Sequence, residues 1–138
     1  MAGTFMLEIV TPEERLFKDE AQFVVVPEVY GELGVMRNHA PMIAALGVGI
    51  MRYTDASGAI KKVALSGGFM EVMNNEVRVL AETAERGSQV DVLRAKAARD
   101  RAEARLAAKA ADVNMTRAEA ALQRALNRLK AAEGAPSK

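Results

Sequence analysis

The 138-residue chain carries 19 Lys/Arg against 18 Asp/Glu, and half of its residues are hydrophobic. That balance excludes general disorder and fits one domain, or a small domain with an appendage. It has no cysteine, no tryptophan, six aromatic residues and a single histidine, His39, which excludes thiol catalysis, disulfides and cysteine-held metals and leaves no basis for a multi-histidine metal site, a serine–histidine triad or a base-stacking surface.

Charge is unevenly placed along the chain. Residues 1–86 hold 8 Lys/Arg and 12 Asp/Glu, whereas residues 87–138 hold 11 and 6. All six aromatic residues lie in the first segment, and sixteen of the last 52 residues are alanine. A boundary at Arg86-Gly87-Ser88 is therefore expected between a domain at 1–86 and a different kind of unit at 87–138.

The first segment reads as antiparallel β structure. Phe5, Leu7 and Ile9 share one face at a period of two, and Pro12 ends that run because it cannot donate to a ladder. Met1–Val10 lacks the basic start of a signal peptide, so none is expected. Phe23-Val24-Val25-Val26 is a continuous apolar run, predicted to be a strand buried on both faces. The apolar stretch Ala40–Met51 is broken by Pro41, Gly47 and Gly49 and is too short to span a membrane. Any membrane association should therefore come through a partner. Two hairpins are predicted. Asp55-Ala56-Ser57-Gly58 separates Ile50–Thr54 from Ile60–Leu65, and Asn74-Asn75 separates Phe69–Met73 from Val77–Leu80. Short strands with regular turn signals indicate a sandwich or small barrel. The glycine pairs Gly31/Gly34, Gly47/Gly49 and Gly67/Gly68 match no phosphate-loop fingerprint and read as turn or bulge residues.

The second segment reads as two antiparallel helices. Ser88 is the expected N-cap, with Asp91 three residues on, and the first helix should run from about Val90 to Ala108. Asp112-Val113-Asn114 offers a turn and a second cap before a helix over about Met115–Glu133. Met115, Ala118, Leu122, Ala125 and Leu129 form a heptad-like seam, and the tail 134–138 should fray. The alanine-rich seam buries little apolar area, so both a mobile hairpin and a permanently docked one remain open.

At about 100° per residue, Arg94, Arg101 and Arg105 fall within about 80° of Asp91, beside a flat bed of Ala95, Ala98 and Ala102. Arg117, Arg124 and Arg128 cluster on the face of the second helix away from the seam. Arginine forks suit phosphate or carboxylate, and small neighbours admit a flat ring, so phosphate binding competes here with a plain solvated face. Nothing pairs a nucleophile with a base, which argues against an enzyme. The basic segment without interleaved aromatics makes nucleic acid the weaker reading.

Gly31-Glu32-Leu33-Gly34-Val35, Asn38-His39-Ala40-Pro41, Ser66-Gly67-Gly68-Phe69-Met70-Glu71-Val72 and Val79-Leu80-Ala81-Glu82-Thr83-Ala84 together resemble the epsilon subunit of bacterial F-type ATP synthases. The resemblance covers essentially the whole chain. It implies an N-terminal antiparallel β-sandwich of about ten strands followed by a two-helix hairpin. It also implies a non-catalytic rotor subunit at the cytoplasmic side of the cell membrane. Its sandwich would bind the gamma subunit and sit on the c-ring, with Glu32 and His39 as ring contacts. Its hairpin would brake ATP hydrolysis by extending along gamma toward the alpha and beta subunits. Some family members bind ATP on the folded hairpin through an aliphatic residue, Asp, two variable residues, Arg and Ala. Val90-Asp91-Val92-Leu93-Arg94-Ala95 matches that motif with Val at its first place, and further family arginines match Arg101, Arg124 and Arg128. ATP is then the expected regulatory ligand, with no obligatory cofactor. A freestanding ATP-sensing module without a rotor role is the alternative, distinguished by a lack of affinity for gamma.

Overall fold

The structure, a computed structural model, describes residues 3–108 and 114–133; the turn expected at Asp112-Val113 and the tail 134–138 lie outside them. Seven strands come first: β1 (Phe5–Val10), β2 (Arg15–Glu28), β3 (Gly31–Met36), β4 (Met42–Asp55), β5 (Ile60–Met73), β6 (Glu76–Ala81) and β7 (Ala84–Arg86). A 3-10 turn at Gly87–Gln89 leads into α1 (Val92–Ala108), and α2 (Met115–Ala132) follows.

The strands run in the order β1-β6-β5-β4-β2-β3, and β1 also pairs with β2, so the sheet closes on itself as a flattened barrel. Closure of the β1-β6-β5-β4-β2 ring removes most of the free edges that would otherwise invite pairing, while β3, paired only with β2, and β7, paired only with β5, stay at its margin. The family resemblance implies about ten strands and the described residues form seven, because β2, β4 and β5 are each 14 residues long. β2 and β5 change partners along their length, whereas β4 keeps β5 throughout and gains β2 from Leu46 onward. In β5, Val63–Leu65 pair with β7 whereas Gly68–Met73 pair with β6. Counting each long strand twice brings seven to ten, and the sandwich is made from its two halves. The β4–β5 ladder skips Gly47 and Gly67, and Gly68 beyond it has φ +120. A Cβ on Gly68 would also run into the carbonyl of Leu80, so only glycine lets β6 approach there.

The core lies inside this barrel. Phe5, Leu7 and Ile9 point inward as the period of two requires, joined by Val24, Val26, Met51, Leu65, Met70 and Val79. Phe23-Val24-Val25-Val26 departs from expectation: Val24 and Val26 are buried, but Phe23 is 39% exposed. The strand is one-sided, because the barrel leaves its outer face to solvent. On the outside of β1, Glu8 is buried between Arg15 of β2 and Arg78 of β6, at 3.0 and 2.9 Å. This carboxylate ties together the three strands that close the ring.

Both predicted hairpins form. Asn74 and Asn75 adopt φ of 52 and 60, the left-handed pair that a two-residue turn needs. At the other turn, Asp55 Oδ1 accepts from Ser57 Oγ at 2.6 Å and from the backbone N–H groups of Ser57 and Ala59 at 2.9 and 3.0 Å.

The helices pack against one another through alanine. Ala95 and Ala102 of α1 and Ala118 and Ala125 of α2 are all buried, so the seam read from α2 is the real one. α2 lies against β4, β5 and β7, whereas α1 packs on α2. Asn114 caps α2, its side chain accepting from the Arg117 N–H at 3.0 Å.

Candidate functional site: the cleft between the second helix and the barrel

The hairpin is folded down, and polar groups hold it there. Asn127 Nδ2 donates to the carbonyls of Gly49 at 2.8 Å and Leu65 at 3.3 Å, a register pair of β4 and β5. Arg128 reaches Glu85 of β7. Lys62 Nζ donates to the carbonyl of Glu133 at 3.3 Å. The apolar part is small: Ala131 sits on Ile50 and Ala64, with Val90 alongside.

The sequence predicts that Arg117, Arg124 and Arg128 point away from the helix seam. The face away from the seam is the one that meets the barrel, so Arg124 and Arg128 line a cleft of about 220 Å³. Ser66, Thr83, Glu85 and Asn127 line it with them. The Ser66 and Thr83 hydroxyls are 2.5 Å apart on the opposite wall. At that volume the cleft lies below the ~300–1,000 Å³ of most ligand pockets and suits one anionic group rather than a whole nucleotide. Arg117 lies two turns earlier on α2 and stays exposed.

The residues of the predicted Asp-x-x-Arg-Ala motif are placed as follows. Asp91, not Ser88, caps α1: its Oδ1 accepts from the Arg94 N–H at 3.0 Å, and the helix starts at Val92. A carboxylate at that position satisfies orphan N–H donors and complements the helix dipole. Val90 joins the small apolar contact beneath Ala131. Arg94 and Arg101 are exposed. The expected flat bed of alanines is not open to a ring, because Ala95 and Ala102 are already covered by α2. No ion pair holds Arg94, Arg101 or Arg124 among the described residues. The structure therefore gathers Arg124 and Arg128 into the cleft, while Val90, Arg94 and Arg101 stand outside its lining.

Glu85, Asn127, Ser66 and Thr83 escape the sequence reading, because no motif marks a polar side chain as facing a helix rather than water. Glu32 and His39 lie elsewhere, around β3. Glu32 pairs with Arg52 at 3.0 Å, and His39 Nδ1 lies 2.7 Å from the carbonyl of Ala40. A carbonyl only accepts, so Nδ1 is the donor in this contact. No cluster of metal-ligating side chains and no helix long and apolar enough to cross a membrane occurs among the described residues.

Comparison with known proteins agrees with this architecture. Residues 4–87 match the family described as "ATP synthase, Delta/Epsilon chain, beta-sandwich domain". Residues 88–133 match "ATP synthase, Delta/Epsilon chain, long alpha-helix domain". A curated ATP synthase epsilon chain from Syntrophomonas wolfei is 62% identical over 104 residues, covering 75% of this chain and 76% of the relative. The chain belongs to the ATP synthase epsilon-chain family. An epsilon chain from Desulforamulus reducens is 56% identical over 106 residues, 77% of this chain and 80% of that one. The fold also recurs in a chain of the cryo-EM structure of Euglena gracilis mitochondrial ATP synthase, OSCP/F1/c-ring in rotational state 1. There the TM-score is 0.78 at 23% identity, over 94% of this chain and 81% of that chain. As an epsilon chain, the protein is a structural and regulatory subunit rather than a catalytic one.

Proposed function

We propose that the chain is a central-stalk subunit of the rotor, peripheral to the membrane, whose barrel (1–86) couples ring rotation to the catalytic head. Its hairpin (87–138) is a brake on ATP hydrolysis. The barrel binds gamma and rests on the c-ring through Glu32 and His39. The hairpin, when released, meets the alpha and beta subunits with its basic face. The observation that carries this reading is the way α2 is held: among the described residues, a handful of hydrogen bonds, one ion pair and one buried alanine, on a barrel whose core is already closed without it. An element docked in that manner can leave without unfolding the rest. On the outer face, Ala45 of β4 pairs with Phe69 of β5, and Phe69 with Leu80 of β6. Phe69 is 55% exposed, an apolar row that a partner such as gamma could cover.

ATP would act as a regulator by preferring the folded hairpin. Arg124 and Arg128 would receive phosphate in the cleft, Arg94 and Arg101 would add charge from α1, and Asp91 would hold the start of α1 in place. Val90 and Ala95 would fix the spacing of the helices rather than touch the ligand. Reversing a 99:1 preference for the extended state needs about 5.5 kcal/mol of differential affinity, so a weak site releases the brake only in part.

The test is steady-state ATP hydrolysis by reconstituted complexes with and without residues 87–138. Faster hydrolysis by the truncated complex supports the brake; equal rates across a range of ATP concentrations leave only the coupling role of the barrel.

A further inference from the structure

We propose that Gly87 and Ala131 form the latch that sets how often the hairpin is docked; the proposal rests on the reading above that the hairpin leaves the barrel. Gly87 is the point at which the chain departs from the barrel, and Ala131 is in the last turn of α2. The hairpin therefore begins and ends at one spot, and a single contact closes it into a loop. Gly87 is buried and Ala131 is 0% exposed. A Cβ added to Gly87 would collide with the carbonyl oxygen of Ala131 and would lie 3.0 Å from its carbonyl carbon. The approach is backbone against backbone, so no side chain can move aside to relieve it.

Gly87 does not need to be glycine for its own conformation. It lies in a 3-10 turn and is not among the glycines of positive φ. Once α2 has left, the same Cβ would meet only the Lys62 carbonyl oxygen of β5, at a tight 3.3 Å, so the severe part of the clash belongs to the docked state. Around it, Ile50 and Ala64 form the floor and Val90 one side, while Asn127 of the helix donates down to Gly49 and Lys62 of β5 donates up to the Glu133 carbonyl.

The absence of native cysteine lets two introduced labels report the hairpin position cleanly. The full chain would carry Glu20→Cys on β2 and Glu119→Cys on α2, both exposed positions, and spin-label distances would be compared with and without Gly87→Ala. Overpacking of this size should lower the docked-to-undocked ratio by about tenfold to about a hundredfold. Asn127→Ala, which adds no atoms, should lower it by a smaller factor and serves as the second variant. Adding Ala131→Gly to Gly87→Ala should not restore docking, since the clash is with the carbonyl. An unchanged distance distribution in Gly87→Ala, or rescue by Ala131→Gly, overturns the latch. A shifted distribution with unchanged hydrolysis in the reconstituted complex upholds the latch and removes the brake.

Discussion

Arg128 of α2 grips Glu85 of β7 with two guanidinium nitrogens: Nη2 lies 3.0 and 3.1 Å from the two carboxylate oxygens, and Nε lies 3.2 Å from one of them. The arginine that would meet a phosphate is thus already neutralised by a carboxylate when the cleft is empty. Both side chains are about one-third exposed, at 27% and 33%, so the pair is screened and contributes about 1 kcal/mol to docking. Glu85→Gln or Arg128→Ala should each lower the docked-to-undocked ratio about fivefold in low salt, and the double variant little further. Label distances between barrel and α2, followed as salt rises, check this; a wild-type docked fraction insensitive to salt would contradict it.

Asp55 makes a prediction about acid stability. The Ser57 hydroxyl, the Lys61 ammonium and two backbone N–H groups lower its pKa from 3.8 to about 2, against the opposing effect of burial. A carboxylate whose folded pKa is depressed stabilises the fold fully above its unfolded value and loses that contribution as pH falls through the folded one. Wild-type stability should therefore drop between about pH 4 and pH 2, and Asp55→Asn should flatten that part of the curve while weakening the β4–β5 turn at neutral pH. Urea unfolding at stepped pH measures both effects.

Much of the fold was legible in the sequence because it rests on local signals. The period of two in Phe5-Leu7-Ile9, the Asn74-Asn75 turn and the seam from Met115 to Leu129 each report a geometry that a few residues decide. The first half of β2, with Phe17 inward but Lys18 and Glu20 outward, carries too little apolar signal to stand out, and β7 is only three residues long. The ten strands that the family resemblance implies correspond to the seven found once each 14-residue strand is counted as two. In the candidate site, the arginines could be placed on a helix face but not against a partner. Whether that face meets water or a barrel depends on docking, which is decided by Gly87, Ala131 and Asn127, residues without any motif. The alanines of α1 show the converse, since small residues beside arginine invite a flat ring or a second helix equally well, and here the second helix covers them.

Glu32 separates stability from function. Its pair with Arg52 is about half exposed on both sides, so breaking it should change barrel stability by only a few tenths of a kcal/mol. If Glu32 contacts the ring, Glu32→Gln should leave the melting temperature unchanged while reducing the coupling of ATP hydrolysis to ion pumping in the assembled complex. Pumping at the wild-type ratio would exclude Glu32 from the contact.

The four candidate arginines should not contribute equally to nucleotide binding. Arg94, Arg101 and Arg124 carry no ion pair among the described residues, whereas Arg128 must first release Glu85. A free arginine that gains a phosphate contributes the whole of a charge-assisted contact, about 1.5–3 kcal/mol. Arg128 contributes that amount less the pair it gives up, and on leaving it exposes a carboxylate that repels the incoming phosphates. Arg94→Ala or Arg124→Ala should therefore weaken ATP binding by tenfold or more, and Arg128→Ala by a smaller factor. Combining Arg128→Ala with Glu85→Gln should recover part of that loss, because the repelling carboxylate is gone. Titration calorimetry on the isolated chain, with circular dichroism to verify that each variant is folded, gives the ranking. Unchanged affinity in both Arg94→Ala and Arg124→Ala would place the nucleotide elsewhere, and an Arg128→Ala loss larger than either would mean that ATP meets the cleft with Glu85 already turned away.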